Sequence, residues 1–411
     1  MRPSKSNTST LTEYHEASSM SGLLDPTQHN ALKKDRLHLA YLTEGNSYYD
    51  RFFLQRLSER YDITVLTFNL DPYEIPDHIR TITIRCGPFR VPRSWVLAWL
   101  RAYLLRKKLD RIRPNIVVSN WALAYGFYAA LSGFKPNILF VWGSDVLVWP
   151  DKSRFLESVV RYAIQKADAM LMDCKALATR CIRLGALSNK ILILPWFDVR
   201  DVLKQRISQE DKTRLREELG ICNDEIVVVS TRSHSPLYSV RTLVEAIPKV
   251  LSAAPDTRFL IVGDGPETSL LKDMVQRSKV GPRTVFTGRV ERPSVLRLLQ
   301  VSDIYVSTSL SDGTSSSLLE AMTLGVPVIV TDLPANREWV VHGSSGTLFP
   351  PGDSVALSKT ITDLAGNEAR RHCLAREALD TVIAKADWER NSKLLYETME
   401  ALTGERSRKA L

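Results

Sequence analysis

The chain has 411 residues, more than one hydrophobic core readily serves, so two domains are expected. Hydrophobic residues at 44% beside 25% charged ones describe an ordinary soluble globular protein; with no apolar run of about 18 residues and no signal-peptide pattern, a membrane-spanning or secreted chain is disfavoured. The formal charge of +9 belongs to the first half, where residues 1–200 carry 28 Lys and Arg against 18 Asp and Glu while residues 201–411 carry 27 against 28, which points to an acidic partner of that half.

Residues 1–35 are polar, Ser/Thr-rich and aperiodic, and read as a mobile tail. Short β-branched runs then alternate with helical patterns. The strand candidates of the first half are "LHLAYLT", "DITVLTF", "TITIRC", "NIVVSN", "NILFVW", "AMLMD" and "KILILP"; those of the second are "EIVVVST", "RFLIVG", "TVFTG", "DIYVST" and "VPVIVT". Runs apolar at nearly every position suit strands buried on both faces, and helices between them imply parallel sheets. The fold class expected is α/β, with two doubly wound Rossmann-like domains over 36–200 and 201–375 and a terminal helix over 376–401. Ligands of such sheets sit beyond the carboxyl ends of the strands, here in the cleft between domains. The cysteines Cys86, Cys174, Cys181, Cys222 and Cys373 form no C-x-x-C pair, and fit reduced thiols in a cytoplasm.

Three first-half loops follow strands. "LTEGNSYYDRF" holds Gly45 with Glu44 beside it, which disfavours an anion there. Asn120 and Trp121 end "NIVVSNW". In "WGSDV", Trp142 precedes Asp145, which can either accept from a ligand hydroxyl or cap a helix. Between Arg90 and Arg113 stand eight basic residues and one acidic. Trp95, Trp99 and Tyr103 recur there at helical spacing, among Arg101, Arg106, Lys107 and Lys108. Such a helix can lie at a lipid interface against anionic headgroups. Alternatively it is a packing helix with snorkelling basic side chains, and Leu97, Leu100 and Leu104 are placed to serve the core. No nucleic-acid-binding motif appears, so that partner is not expected. None of the seven histidines stands in a convincing site.

In the second half, Arg232 follows "EIVVVST", where a guanidinium can fork onto phosphate. Arg241 is either a further cation for the same purpose or a solvated helix charge. "VGDGPE" (Gly263 to Glu267) makes a turn with Pro266 ready to open a helix, and is no dinucleotide fingerprint. No Asp-x-Asp occurs, so no metal is expected. "SLSDGTSSSLLEAMTLGVPVIVTD" reads as loop, helix and strand, with Gly325 ending the helix. Ser317 and Glu320 are spaced as a capping box. In the other reading, the amides of Ser315 to Ser317 receive an anion at the helix start, and Asp312 and Glu320 accept from hydroxyls on either side of it.

That last stretch resembles the E-x7-E signature of the family-4 retaining glycosyltransferases of GT-B fold, with Asp312 in place of the first glutamate. "EAMTLGVPVIVTD" matches closely. The resemblance continues in order through "VWGSDV", "ADAMLMDCKALATRCIRLG", "RFLIVGDGPE", "VFTGRV", "HGSSGTLFPPGD" and "DWERNSKLLYETM", over most of residues 36–400. It implies that Glu320 binds a nucleotide ribose, that Asp312 lies beside the donor sugar, and that Gly313, Thr314, Ser315 and Ser316 contact sugar and phosphate. Arg232 would clamp the diphosphate. Gly288, Arg289 and Val290 would contact the base, and Gly263 would belong to the nucleotide-side loop. Gly45, Asn120 and Trp142 would stand on the acceptor side, and the terminal helix would cross back to the first domain. Tyr238 occupies the place of the family's lysine, and Asn120 and Trp121 that of its histidine.

The catalytic candidates are thus Asp312, Arg232 and Asp145. The activity the resemblance implies is retaining transfer of a sugar from a nucleotide-diphosphate sugar to a hydroxyl, without metal or cofactor. The acceptor expected is lipid-linked or a glycan, in cell-surface polysaccharide or glycolipid assembly. The basic first half admits an anionic membrane surface as a further partner, with a cytoplasmic location peripheral to the inner face. A nucleotide-sugar epimerase or hydrolase on the same fold, and a non-catalytic membrane scaffold, are the competing expectations.

Overall fold

A computed structural model describes residues 36–85 and 97–409. The predicted tail, Cys86 and Trp95 lie outside the described residues.

The chain builds two parallel sheets. The first comprises β1 (His38–Leu42), β2 (Asp62–Thr67), β3 (Arg80–Thr83), β4 (Ile116–Asn120), β5 (Asn137–Phe140), β6 (Ala169–Met172) and β7 (Ile191–Ile193), in the order β3-β2-β1-β4-β5-β6-β7. The second comprises β8 (Ile226–Ser230), β9 (Thr257–Val262), β10 (Thr284–Gly288), β11 (Ile304–Ser307), β12 (Val328–Thr331) and β13 (Thr347–Phe349), in the order β10-β9-β8-β11-β12-β13. Every run read as a strand forms one. Central strands such as β4 and β12 are buried at each position, as helices on both faces require.

Strand order reverses between β1 and β4 in the first sheet, and between β8 and β11 in the second. At such a switch the two outgoing loops diverge and leave a crevice beyond the strand ends. The loops after β1 and β4 carry Glu44 and Trp121; those after β8 and β11 carry Arg232 and Asp312. Both crevices open onto the space between the sheets, so the topology sets the site before any side chain is considered.

The end of the chain is two helices, Glu368–Lys385 and Trp388–Lys409, where one was expected. The first buries Ala378 and Val382 in the core of the second domain. The second buries Trp388, Leu395, Tyr396 and Met399 in the core of the first. Trp388 packs edge-on against Phe52 and Phe53, with centroids 5.0 and 5.8 Å away. The chain crosses between domains twice, at Trp196–Phe197 and at Ala386–Trp388, as core membership shows. The Val199 N–H donates to Ala386 O at 3.2 Å and ties the crossings together.

Candidate active site

The helix Ser316–Thr323 starts the site. Its cap is Ser315, whose hydroxyl accepts from Leu318 N, and not the Ser317–Glu320 box that the spacing suggested. Ser317 cannot serve because it is already the second residue of the helix; its hydroxyl accepts from Arg232 Nη1 at 3.1 Å. Arg232 also donates to Ser315 Oγ and, through Nη2, to Asp312 Oδ2, each at 2.6 Å. Tyr238, in the position where the resemblance places a lysine, lays its ring 4.1 Å from the guanidinium carbon. The arginine is therefore held on three sides at the N-terminal end of a helix, with the amides of Gly313 to Ser316 beside it.

Glu320 was expected to be free for a hydroxyl. It accepts instead from Arg292 Nε at 2.7 Å, because a buried carboxylate without a partner is expensive. Arg292 in turn stacks on Tyr48 of the first domain, 4.6 Å from the ring centroid. Burial pushes both Asp312 and Glu320 above the ordinary carboxylate range, and their arginines oppose the shift. Arg241 does not join them: it is exposed and pairs with Glu245 on its own helix. Arg292 is the second cation of this cavity, which spans about 380 Å³ and is also lined by Tyr49, Trp142 and Asp173.

Asp173 immediately follows β6 and was not singled out in the sequence. It is buried, and Oδ1 has no hydrogen-bond partner among the described residues. A Cβ on Gly313 would stand 2.9 Å from that oxygen, so only glycine lets the two loops approach. Burial, helped by the charges of Asp312 and Glu338, pushes the Asp173 carboxyl up to about 7. The same seam is closed by Thr314 Oγ1 donating to Asp173 O at 3.0 Å, by Tyr49 OH against Ser316 Oγ, and by Glu338. The Glu338 carboxylate accepts from Lys175 N and Ala176 N at 3.0 and 2.9 Å, capping the helix Lys175–Arg183 from the opposite domain.

Asp145, a catalytic candidate by sequence, is fully buried. It accepts from the backbone amides of Ala122, Trp142 and Gly143 at 2.9, 3.1 and 2.9 Å. Both its oxygens are spent on holding the β4 and β5 loops together, so it positions and does not touch a substrate. Asn120 is similarly structural in part: it donates to Leu42 O and accepts from Trp142 Nε1 at 3.0 Å. Gly45 stands at φ +73 with no room for a side chain, since a Cβ would meet Pro72 at 2.7 Å.

Two protein families match this chain along its length: residues 38–174 match the family described as glycosyl transferase 4-like, and residues 211–380 that of the glycosyl transferases group 1. The chain is a family-4 type glycosyltransferase of GT-B architecture. The transferase is 25% identical to N-acetyl-alpha-D-glucosaminyl L-malate synthase of Bacillus anthracis over 72% of this chain and 75% of that one. It is also 25% identical to the teichuronic acid biosynthesis glycosyltransferase TuaC of Bacillus subtilis, covering 74% of each chain. Among solved structures, Anabaena Alr3699/HepE in complex with UDP and glucose superposes with a TM-score of 0.74 at 20% identity, over 89% of this chain and 100% of that one.

The remaining predicted residues of the transferase divide. Val290 lines the cavity, whereas Arg289 is exposed and lies off it. Gly288 accepts from Gly263 N at 3.0 Å. Gly263, at φ +127, shapes the backbone that carries Arg232, since a Cβ there would come 2.9 Å from Arg232 O. In the basic helix Ala98–Ile112, Trp99 is 68% and Tyr103 54% exposed. Leu100 is exposed as well, and the core face is Ala98, Ala102, Leu105 and Leu109, one step round from the leucines expected. Lys107 lies over Tyr103, Lys108 is half-buried and Arg106 pairs with Asp110. Arg101 turns inward to Tyr128 OH at 2.7 Å, which removes it from the outer face. No described helix is long and apolar enough to cross a membrane.

Proposed function

We propose that the transferase moves a sugar, with retention of anomeric configuration, from a nucleoside-diphosphate sugar to a hydroxyl acceptor. The observation that carries this is the buried Arg232 guanidinium beside the backbone amides of Ser315 and Ser316 at a helix start, a combination suited to a diphosphate. The solved relative with UDP and glucose supports a nucleotide-sugar donor.

In the structure the cavity is balanced, Arg232 against Asp312 and Arg292 against Glu320. Donor binding on this reading is an exchange of partners. The diphosphate takes the guanidinium of Arg232, and Asp312 is released to accept from a sugar hydroxyl. Glu320 accepts from the ribose while Arg292 adds a second positive charge at the phosphates. As the glycosidic bond breaks, an oxocarbenium-like centre forms, and Arg232 with the fixed amides takes up charge on the departing phosphate. Closure across the Asp173–Gly313 seam limits water, and so limits hydrolysis of the donor. The chemistry requires no metal or cofactor.

The acceptor occupies the first domain and is a glycan or lipid-linked glycan of cell-surface polysaccharide or glycolipid assembly, a setting that TuaC's name supports. The exposed Trp99 and Tyr103 with Lys107 fit a cytoplasmic enzyme resting on an anionic membrane face.

The test is a thermal-shift panel of UDP, GDP, ADP and their sugars in EDTA, followed by NMR of the product's anomeric centre. One nucleotide series should raise the melting temperature, and the new linkage should keep the donor's configuration. No shift from any nucleotide, a requirement for metal, or an inverted product would each overturn part of the reading.

A further inference from the structure

The donor cavity does not end at Trp142. Tyr49, Trp142 and Tyr238 also wall a second space of about 420 Å³ in front of the β1 and β4 loops. That space shares Glu44, Trp121 and Tyr125 with a third, a chamber of about 200 Å³ on the far side of the β4 loop. Three adjoining spaces, each sharing lining residues with the next, thus form a series from the donor site into the first domain.

The chamber is aromatic. Trp121 and Trp149 meet edge to face with centroids 6.5 Å apart, and Phe68, Tyr125 and Tyr128 join them in the wall beside Ala98, Leu123, Ala124 and Leu156. Two charged groups enter it: Glu44 at the shared mouth and Arg101, whose guanidinium stands 5.5 Å from both the Phe68 and Tyr128 rings. Trp121 is held at φ +63, a conformation that side chains other than glycine rarely take, at the start of the π-helical turn Trp121–Tyr125. The buried Asp145 carboxylate fixes that turn through Ala122 N. Strain kept in place by a buried charge, in a wall shared by two cavities, is the kind of local cost that persists at ligand sites, here on a wall whose other residues also pack into the core.

We infer that this chamber is a subsite for a neutral sugar ring of the acceptor, one residue beyond the ring whose hydroxyl reacts. The inference rests on the transferase reading above and names its acceptor as a glycan of at least two rings. A sugar ring offers C–H faces to the tryptophans and aliphatic lining, and hydroxyls to Glu44 and to the edge of the Arg101 guanidinium already held by Tyr128. An alkyl chain would strip water from the exposed Glu44 carboxylate at the mouth and return nothing to it. An anionic group would meet Glu44 at the entrance.

The test is binding on an array of immobilised mono-, di- and trisaccharides and octyl glycosides, with wild-type enzyme, Trp149→Ala and Trp149→Phe, with and without the nucleotide that binds best. Glycans of two or more rings should be retained at least about tenfold more tightly than their single-ring parents. Trp149→Ala should abolish that preference and Trp149→Phe should keep most of it, while the nucleotide-induced melting shift stays unchanged in both as proof of folding. Equal retention of one and two rings, retention that follows the octyl chain, or a two-ring preference that survives Trp149→Ala would overturn the subsite. Failure of every nucleotide to bind would instead strike the donor reading, since the glycan arms are read without nucleotide too.

Discussion

Arg232 and Asp312 come from loops after neighbouring strands and meet as a buried ion pair, with 2.6 Å between Nη2 and Oδ2. Removing one member leaves the other charge buried and unpaired. Arg232→Ala should lower stability by about 3–5 kcal/mol. It should also lower kcat/KM by about 10²–10³, the scale of a lost transition-state donor. Arg232→Met combined with Asp312→Leu should recover most of the stability and none of the activity, by denaturant melts and product assay. Recovery of activity in the double variant would place the diphosphate elsewhere.

Arg292 and Arg241 make a controlled comparison. Arg292→Leu orphans Glu320 and should weaken nucleotide binding by about tenfold or more. Arg241 is exposed on its helix, so Arg241→Ala should leave nucleotide affinity within about twofold of wild type. Calorimetric titration of both variants decides, and the reverse ranking would restore Arg241 as the second cation.

Asp145 should act through the loops it holds. Asp145→Ala leaves three backbone amides without an acceptor, and should cost about 3 kcal/mol or more in stability. Asp145→Asn keeps one acceptor oxygen and should melt between Ala and wild type. In that milder variant the acceptor KM should rise while nucleotide affinity is retained, because the loops it fixes lie on the acceptor side.

Asp173 predicts a pH signature. Its carboxyl is raised from the ordinary value to about 7, so folding is helped while it is protonated. That contribution is complete below about pH 4 and is lost as pH rises through about 7. Asp173→Asn should therefore match wild type near pH 4.5 and exceed it at pH 8, by about 1–4 kcal/mol. Equal melting differences at both values would show that Asp173 is not the protonated group.

Trp388 fastens the last helix to the first domain. Trp388→Ala removes a fully packed ring from between Phe52 and Phe53, and should destabilise by about 3–5 kcal/mol. Nucleotide affinity in the surviving folded fraction should stay close to wild type, because no cavity-lining residue is touched.

Much of this was legible in the sequence. The strand runs are apolar at almost every position, so their burial on both faces could be read directly; β13 escaped because three residues carry no period. Arg232 and Asp312 stand near strand ends at a switch point, a position readable from strand order, and Glu320 lies on the helix that follows. Asp173 obeys the same rule at the end of "AMLMD", and that signal was available but not used. Arg292 could not be found this way, since its partner Glu320 is brought by folding from a distant helix. Nor could the burial of Asp145: which amides a carboxylate will meet is decided by how two loops pack. The inward turn of Arg101 was hidden because a basic residue on an amphipathic helix reads alike whether it faces lipid or a cavity.

The paired crossings at Val199 and Ala386 carry a mechanical consequence. A lone linker would let the halves twist and slide freely. Two passages of backbone bonded to each other give the halves one shared pivot. Opening of the cleft about this point would part Asp173 from Gly313, and Tyr48 from Arg292, together, so on the proposed reading donor release and loss of the acceptor wall would be one event.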